Sequence, residues 1–159
     1  LRSLETLKLR MEKQAENAMK IAAWLNEHPC TDKVHYLGLL TPKDGEQYQV
    51  FRRQCLSPGA MVSFEVAGGE HEAFAFLNNL HLVKLAVSLG STESLAQHPA
   101  SMTHAGVPTA EKQSLGIKDN LVRLSVGVEN VADLMFDLGQ ALEKMGKSSR
   151  KERKLAEVV

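Results

Sequence analysis

The chain has 159 residues, with Lys+Arg 19 balanced by Asp+Glu 19 for a formal net charge of +0, and 43% of its side chains are apolar. That balance excludes a body drawn to nucleic acid or to an anionic membrane by overall charge, and no apolar run approaches the roughly 20 residues of a membrane span. One ordinary domain is expected, and Cys30 and Cys55, without zinc-site or Cys-x-x-Cys spacing, point to a reducing cytoplasm rather than a disulfide framework.

Leu4, Leu7, Met11, Ala15, Ala18, Ala22 and Leu25 recur at steps of three and four, which predicts one long amphipathic helix. It ends near His28, because Pro29 cannot continue it. The pattern is already running at Leu1, which is not an initiator methionine, so the chain is expected to be a fragment of a longer protein, with no signal peptide in residues 1–30. Lys33 to Leu37 reads as a short strand and Leu39 to Gly45 as a loop. Asp44 with Gln47 resembles a capping box for a helix through about Cys55. After Ser57-Pro58-Gly59, Val62, Phe64 and Val66 alternate with Met61, Ser63 and Glu65, the pattern of a half-buried strand.

Gly68-Gly69 then turns the chain into a helix expected to face inward with Phe74, Leu77 and Leu80. Leu85 to Gly90 is read as a strand, with Leu85, Val87 and Leu89 opposite Ala86, Ser88 and Gly90. Residues 91–120 read mostly as loop, with one turn of helix after Thr109; a connection of that length is usually functional. Leu121 to Gly127 is a second strand, placing Val122, Leu124 and Val126 on one face and Leu121, Arg123 and Ser125 on the other. Asn130 is positioned to cap a final helix packed through Val131, Leu134, Leu138, Leu142 and Met145. Lys147, Arg150, Lys151, Arg153 and Lys154 belong to a basic tail, residues 146–159, read as a solvated, disordered end. The order predicts an α/β (α+β) body over residues 1–145, a small sheet covered on one side by helices.

Arg123 is the candidate site residue. A guanidinium inside so apolar a strand is costly to bury alone, so either its face is wet or an anion meets it. Its fork suits a carboxylate through two parallel charge-assisted bonds. From the residues alone a structural ion pair and a ligand site both stand open. Ser88 reads equally as an ordinary strand hydroxyl and Val87 as a strand core residue. His98 and His104 lack an acidic or thiol companion at ligand spacing, so no metal site is read.

Val87-Ser88-Leu89-Gly90, Glu93-Ser94-Leu95, His98-Pro99-Ala100-Ser101-Met102-Thr103-His104 and Leu121 to Glu129 occur in one order with close spacing. Together they resemble the C-terminal part of the Cys/Met-metabolism family of pyridoxal 5′-phosphate (PLP) enzymes, which includes methionine γ-lyase, cystathionine γ-lyase and cystathionine γ-synthase. The resemblance runs from about residue 1 to about residue 145. It implies the C-terminal domain of a fold-type-I PLP enzyme with a mainly antiparallel sheet. It also implies that Arg123, helped by Ser88, binds the α-carboxylate of a sulfur amino-acid substrate.

Val87 falls where related enzymes vary with substrate preference; valine there favours the apolar thioether of methionine. The implied parent reaction is α,γ-elimination of L-methionine, with cystathionine γ-lyase or γ-synthase chemistry as the alternative. In the family the PLP lysine lies in a large N-terminal domain, and no lysine here stands in a matching motif. The chain alone is therefore expected to bind no PLP and to be inactive, within a full-length homotetramer. The alternative of another class is a stand-alone, non-catalytic binding or assembly domain.

Overall fold

A computed structural model describes residues 2–156, with side chains described for residues 3–147. The first apolar stripe folds as one turn, α1 (Arg2–Glu5), and a long helix, α2 (Leu7–Asn26). From Ala15 the stripe is buried through Ala18, Ile21, Ala22 and Leu25, whereas Leu4 and Leu7 are exposed. The buried half lies against the strands that follow; the first half is left open to solvent.

Five strands form one sheet: β1 (Thr31–His35), β2 (Met61–Val66), β3 (Lys84–Leu85), β4 (Leu95–Gln97) and β5 (Leu121–Ser125), in the order β1-β2-β5-β4-β3. Neighbours are antiparallel except β3 with β4. Between β1 and β2 lies α3 (Glu46–Gln54), and after β2 comes α4 (Glu70–Asn78). A short α5 (Thr109–Ser114) precedes β5, and α6 (Val131–Ala156) follows it.

Period two decides which face of the sheet is dry. Val62, Phe64 and Val66 of β2, with Val122, Leu124 and Val126 from β5 onward, are fully or almost fully buried. They meet the apolar stripes of α2, α4 and α6, including Leu134, Leu138, Ala141 and Leu142. Phe64 and Phe76 close the middle with an edge-to-face contact, ring centroids 5.6 Å apart. The helix after Asn130 starts as expected: Asn130 Oδ1 accepts the Ala132 amide at 2.9 Å. Burying these six apolar side chains of the sheet, each contributing roughly 1.5–3 kcal/mol, supplies much of the force that holds the helices on the sheet.

Several expectations need correction. Asp44 does not begin a helix; it closes a 3₁₀ turn (Pro42–Asp44) capped by Thr41, accepting the Thr41 amide at 2.7 Å and its hydroxyl at 2.9 Å. Gly45, at φ 59°, then leads into α3, a conformation costly for a side chain bearing a Cβ. Phe74 is not inward: α4 buries Ala73, Phe76 and Leu77, which share one stripe, and Phe74 lies about 100° off it. Its ring instead meets the His98 imidazole edge-on at 4.9 Å.

The run from Leu85 to Gly90 is not a full strand. It leaves the ladder after Leu85, with one further bond from the Ala86 amide to the Ala96 carbonyl. A strand absent from the sequence reading, β4, lies inside the long connection. It is three residues long and buried throughout, so no alternation marks it. The backbone of α6 continues to Ala156; of the basic tail, Lys147 is exposed and the side chains from Ser148 on lie outside the described residues.

Candidate functional site: the Arg123 side of the sheet

The face away from the helices carries the polar half of each alternation: Ser63 and Glu65 from β2, Gln97 from β4, Arg123 and Ser125 from β5. In the register Arg123 stands between Ser63 on one side and Gln97 on the other. Its side chain is half-buried, and Nη2 donates to the Val87 carbonyl at 2.9 Å and, more weakly, to the Ser88 carbonyl at 3.4 Å, in the loop after β3. Nε is buried with no acceptor. Burial lowers the guanidinium's pKa from its ordinary value, yet an arginine stays a cation in a protein. Among the described residues no carboxylate pairs with it.

The three residues singled out from the sequence are thus brought together. Arg123 holds the main chain of Val87 and Ser88, and both of those side chains are exposed on the loop beside it. The exposure follows from the loop leaving the ladder: Leu85, Val87 and Leu89, expected to share a strand's apolar face, are 52%, 50% and 55% exposed.

Side chains from three other places fix this loop. Ser125 Oγ accepts the Gly90 amide at 2.9 Å, where Gly90 turns the chain at φ 75°. Gln14 of α2 donates to the Ser91 carbonyl at 2.7 Å. Glu129 accepts the Ser94 amide at 2.6 Å and its hydroxyl at 2.9 Å, while Ser94 Oγ accepts the Gly127 amide at 2.8 Å. Gly127 has no room for a Cβ, which would overlap the Thr92 carbonyl and the Glu129 carboxylate. Asn17 completes the arrangement by donating to the carbonyls of Gly127 and Glu129 at 3.1 and 2.9 Å.

None of these supporting residues was singled out from the sequence, although two left a signal. Ser125 lies two residues from Arg123 on the same strand face. Gln14 and Asn17 are amides interrupting the apolar side of α2, and both are fully buried.

The loop after β4 is held by its own polar groups. His98 is 1% exposed; its Nδ1 pairs with Ser101 Oγ at 2.8 Å and its Nε2 with the Asp119 carbonyl at 2.6 Å. Thr103 Oγ1 meets His104 Nδ1 at 2.8 Å. These histidines are engaged in shaping the connection from β4 to β5. The lysine nearest in sequence to the Arg123 loop, Lys84, directs its Nζ to the His81 carbonyl at 2.9 Å. A half-buried guanidinium held only by main-chain carbonyls suits the anionic end of a ligand.

Comparison with known proteins fits this arrangement. The crystal structure of a Campylobacter jejuni protein assigned as an O-acetylhomoserine (thiol)-lyase, with N′-pyridoxyl-lysine-5′-monophosphate in it, superposes with a TM-score of 0.82 at 37% identity, over 89% of this chain and 33% of that one. The fold is thus that of part of a fold-type-I PLP enzyme. More narrowly, a family model described as Cys/Met metabolism PLP-dependent enzyme matches residues 1–143, and the chain belongs to that family.

An L-methionine gamma-lyase from Fusobacterium nucleatum subsp. nucleatum is 50% identical over 145 residues, 91% of this chain and 36% of the relative. A cystathionine gamma-lyase from Sus scrofa is 49% identical over 142 residues, 89% of this chain and 34% of the relative. The chain spans about a third of the length of these curated relatives.

Proposed function

We propose that this chain is the substrate-positioning C-terminal part of a PLP-dependent carbon–sulfur lyase, with Arg123 binding the α-carboxylate of a sulfur amino acid. One observation carries the reading: the Arg123 guanidinium is half-buried, held only by main-chain carbonyls, and has no counter-charge among the described residues. A carboxylate ligand supplies that charge, and an arginine fork holds it in a fixed plane. The Ser88 hydroxyl, exposed beside it, is the second group we assign to the carboxylate.

PLP, when bound, supplies the electron sink for cleavage at the substrate's α and γ positions. This chain's contribution is orientation: by fixing the carboxylate, Arg123 sets which bond at Cα lies perpendicular to the cofactor ring. We assign the cofactor lysine to the rest of the full-length protein, so the chain alone turns over no substrate.

The parent reaction we favour is α,γ-elimination of L-methionine with water, giving methanethiol, 2-oxobutanoate and ammonia. Supporting it is Val87, half exposed on the loop that Arg123 holds; an apolar side chain there accommodates a thioether and offers nothing to a distal ammonium group. Cystathionine γ-lyase or γ-synthase chemistry is the second reading, favoured by the nearly equal identities to relatives of both names. Leu85, Val87 and Leu89 form an exposed apolar run that suits burial against the larger part of the enzyme, in a cytoplasmic homotetramer.

The test uses the full-length enzyme. Arg123→Ala is expected to lower kcat/KM by on the order of a few hundredfold, the equivalent of about two charge-assisted bonds. Unchanged kinetics would remove the assignment. Product analysis with methionine, cystathionine and O-acylhomoserines separates the two reactions.

A further inference from the structure

Arg123 lies on β5, and it grips the carbonyls of Val87 and Ser88 in the loop that follows β3. The β4 residue directly opposite Arg123 in the register is Gln97. Cross-strand partners of this kind carry their side chains on one face, with Cβ atoms about 4.5–5.5 Å apart. Gln97 is 1% exposed, and its Oε1 is buried with no donor. Arg123 Nε is buried with no acceptor.

Two residues paired across the ladder therefore hold complementary unsatisfied atoms, a charged donor and an amide acceptor. Buried groups are rarely left this way, because each forfeits a hydrogen bond that water would have made. The main-chain carbonyls hold the guanidinium at Nη2 only. Nε, the guanidinium nitrogen nearest the chain, therefore adds nothing to fixing the plane offered to a ligand.

Resting on the carboxylate-binding reading of Arg123, we propose that Gln97 is a positioning residue for that site. When a carboxylate lies against the Nη groups, Gln97 Oε1 accepts the Arg123 Nε–H and locks the guanidinium plane. The amide rotates about its terminal side-chain bonds to make this contact, with no backbone change. Gln97 acts through Arg123 and needs no contact with the substrate.

The experiment compares steady-state kinetics of full-length holoenzyme variants with L-methionine. Gln97→Met keeps length and removes the acceptor; it is expected to raise KM about tenfold with kcat altered less than about twofold, as loss of one hydrogen bond to a charged group implies. In an Arg123→Ala background, Gln97→Met is expected to add no further change, since its partner is gone.

An unchanged KM in Gln97→Met, or the same rise with and without Arg123, would overturn the inference while leaving the carboxylate reading intact. An unchanged KM in Arg123→Ala alone would overturn both. Should Gln97→Met fail to give folded holoenzyme, Gln97→Asn withdraws the acceptor by one methylene, and the same two comparisons decide.

Discussion

Two charges lie on the same face of this sheet and are treated in opposite ways. Glu65 of β2 is almost fully buried and is answered from within the chain: His35 Nε2 stands 3.0 Å from one carboxylate oxygen and Lys118 Nζ 2.7 Å from the other. Burial pushes its carboxyl upward, and the hydrogen bonds from Lys118 and His35 outweigh that, leaving it below the ordinary value. Arg123, one strand away, has two carbonyls, a buried unpaired Nε and, among the described residues, no carboxylate. A third charge, Asp137 of α6, follows the pattern of Glu65, accepting the amides of His81, Leu82 and Val83 at 2.9 Å each. Structural charges here are satisfied locally. Among these three, Arg123 alone has no charged partner among the described residues, and that contrast supports the ligand proposed for it.

The contrast can be broken experimentally. Its strongest consequence is that Arg123→Met should cripple the full-length enzyme, by the few hundredfold given above. Urea unfolding of this chain should shift by less than about 1 kcal/mol, because removing a half-buried charge offsets the lost carbonyl bonds. A large loss of stability instead would make Arg123 structural. Asp137→Ala should do the reverse, costing about 3 kcal/mol of unfolding free energy by leaving buried amides without an acceptor. If that variant unfolds at the parental urea concentration, the idea of locally satisfied charges fails for α6.

Glu65→Gln should be milder, about 1–2 kcal/mol, since its partners His35 and Lys118 are themselves well exposed and screened. The KM of the full-length enzyme should not move. The difference also has a pH signature. A carboxyl whose folded pKa is depressed adds stability above its unfolded pKa and loses it as pH falls through the folded one. Unfolding curves of the parent and Glu65→Gln should therefore differ at neutral pH and converge as pH drops below the ordinary carboxylate range; curves that stay parallel would contradict the ion-pair account. Smallest of all, Leu89→Ser should change the chain's stability by less than about 0.5 kcal/mol, as expected for a side chain 55% exposed. A larger loss would show that the loop after β3 packs in solution.

Much of the fold was legible in local patterns. The alternation of Val62, Phe64 and Val66 and of Val122, Leu124 and Val126 marked the buried face correctly, because a strand's side chains point by parity whatever it pairs with. Asn130 and the stripe of α6 were equally plain. The same rule failed at Leu85 to Gly90, where alternation is present but the chain leaves the ladder after Leu85 and turns at Gly90. It failed again at β4, whose three buried residues carry no period. Phe74 was misplaced by one helical position, enough to turn it from the core toward His98.

At the site, the sequence by itself singled out the side chains proposed to meet the substrate. Arg123 is the one charge among apolar residues of β5, and the ordered motifs around Ser88 and Glu129 mark the family that the comparison confirms. Tertiary structure alone decided that no carboxylate among the described residues reaches Arg123, that its Nη2 grips the Val87 and Ser88 carbonyls, and that Ser125, Gln14 and Glu129 hold that loop. The reason is one of range. Periodicity and turn chemistry act over a few residues, whereas a charge is neutralised by whatever the fold brings near it from anywhere in the chain.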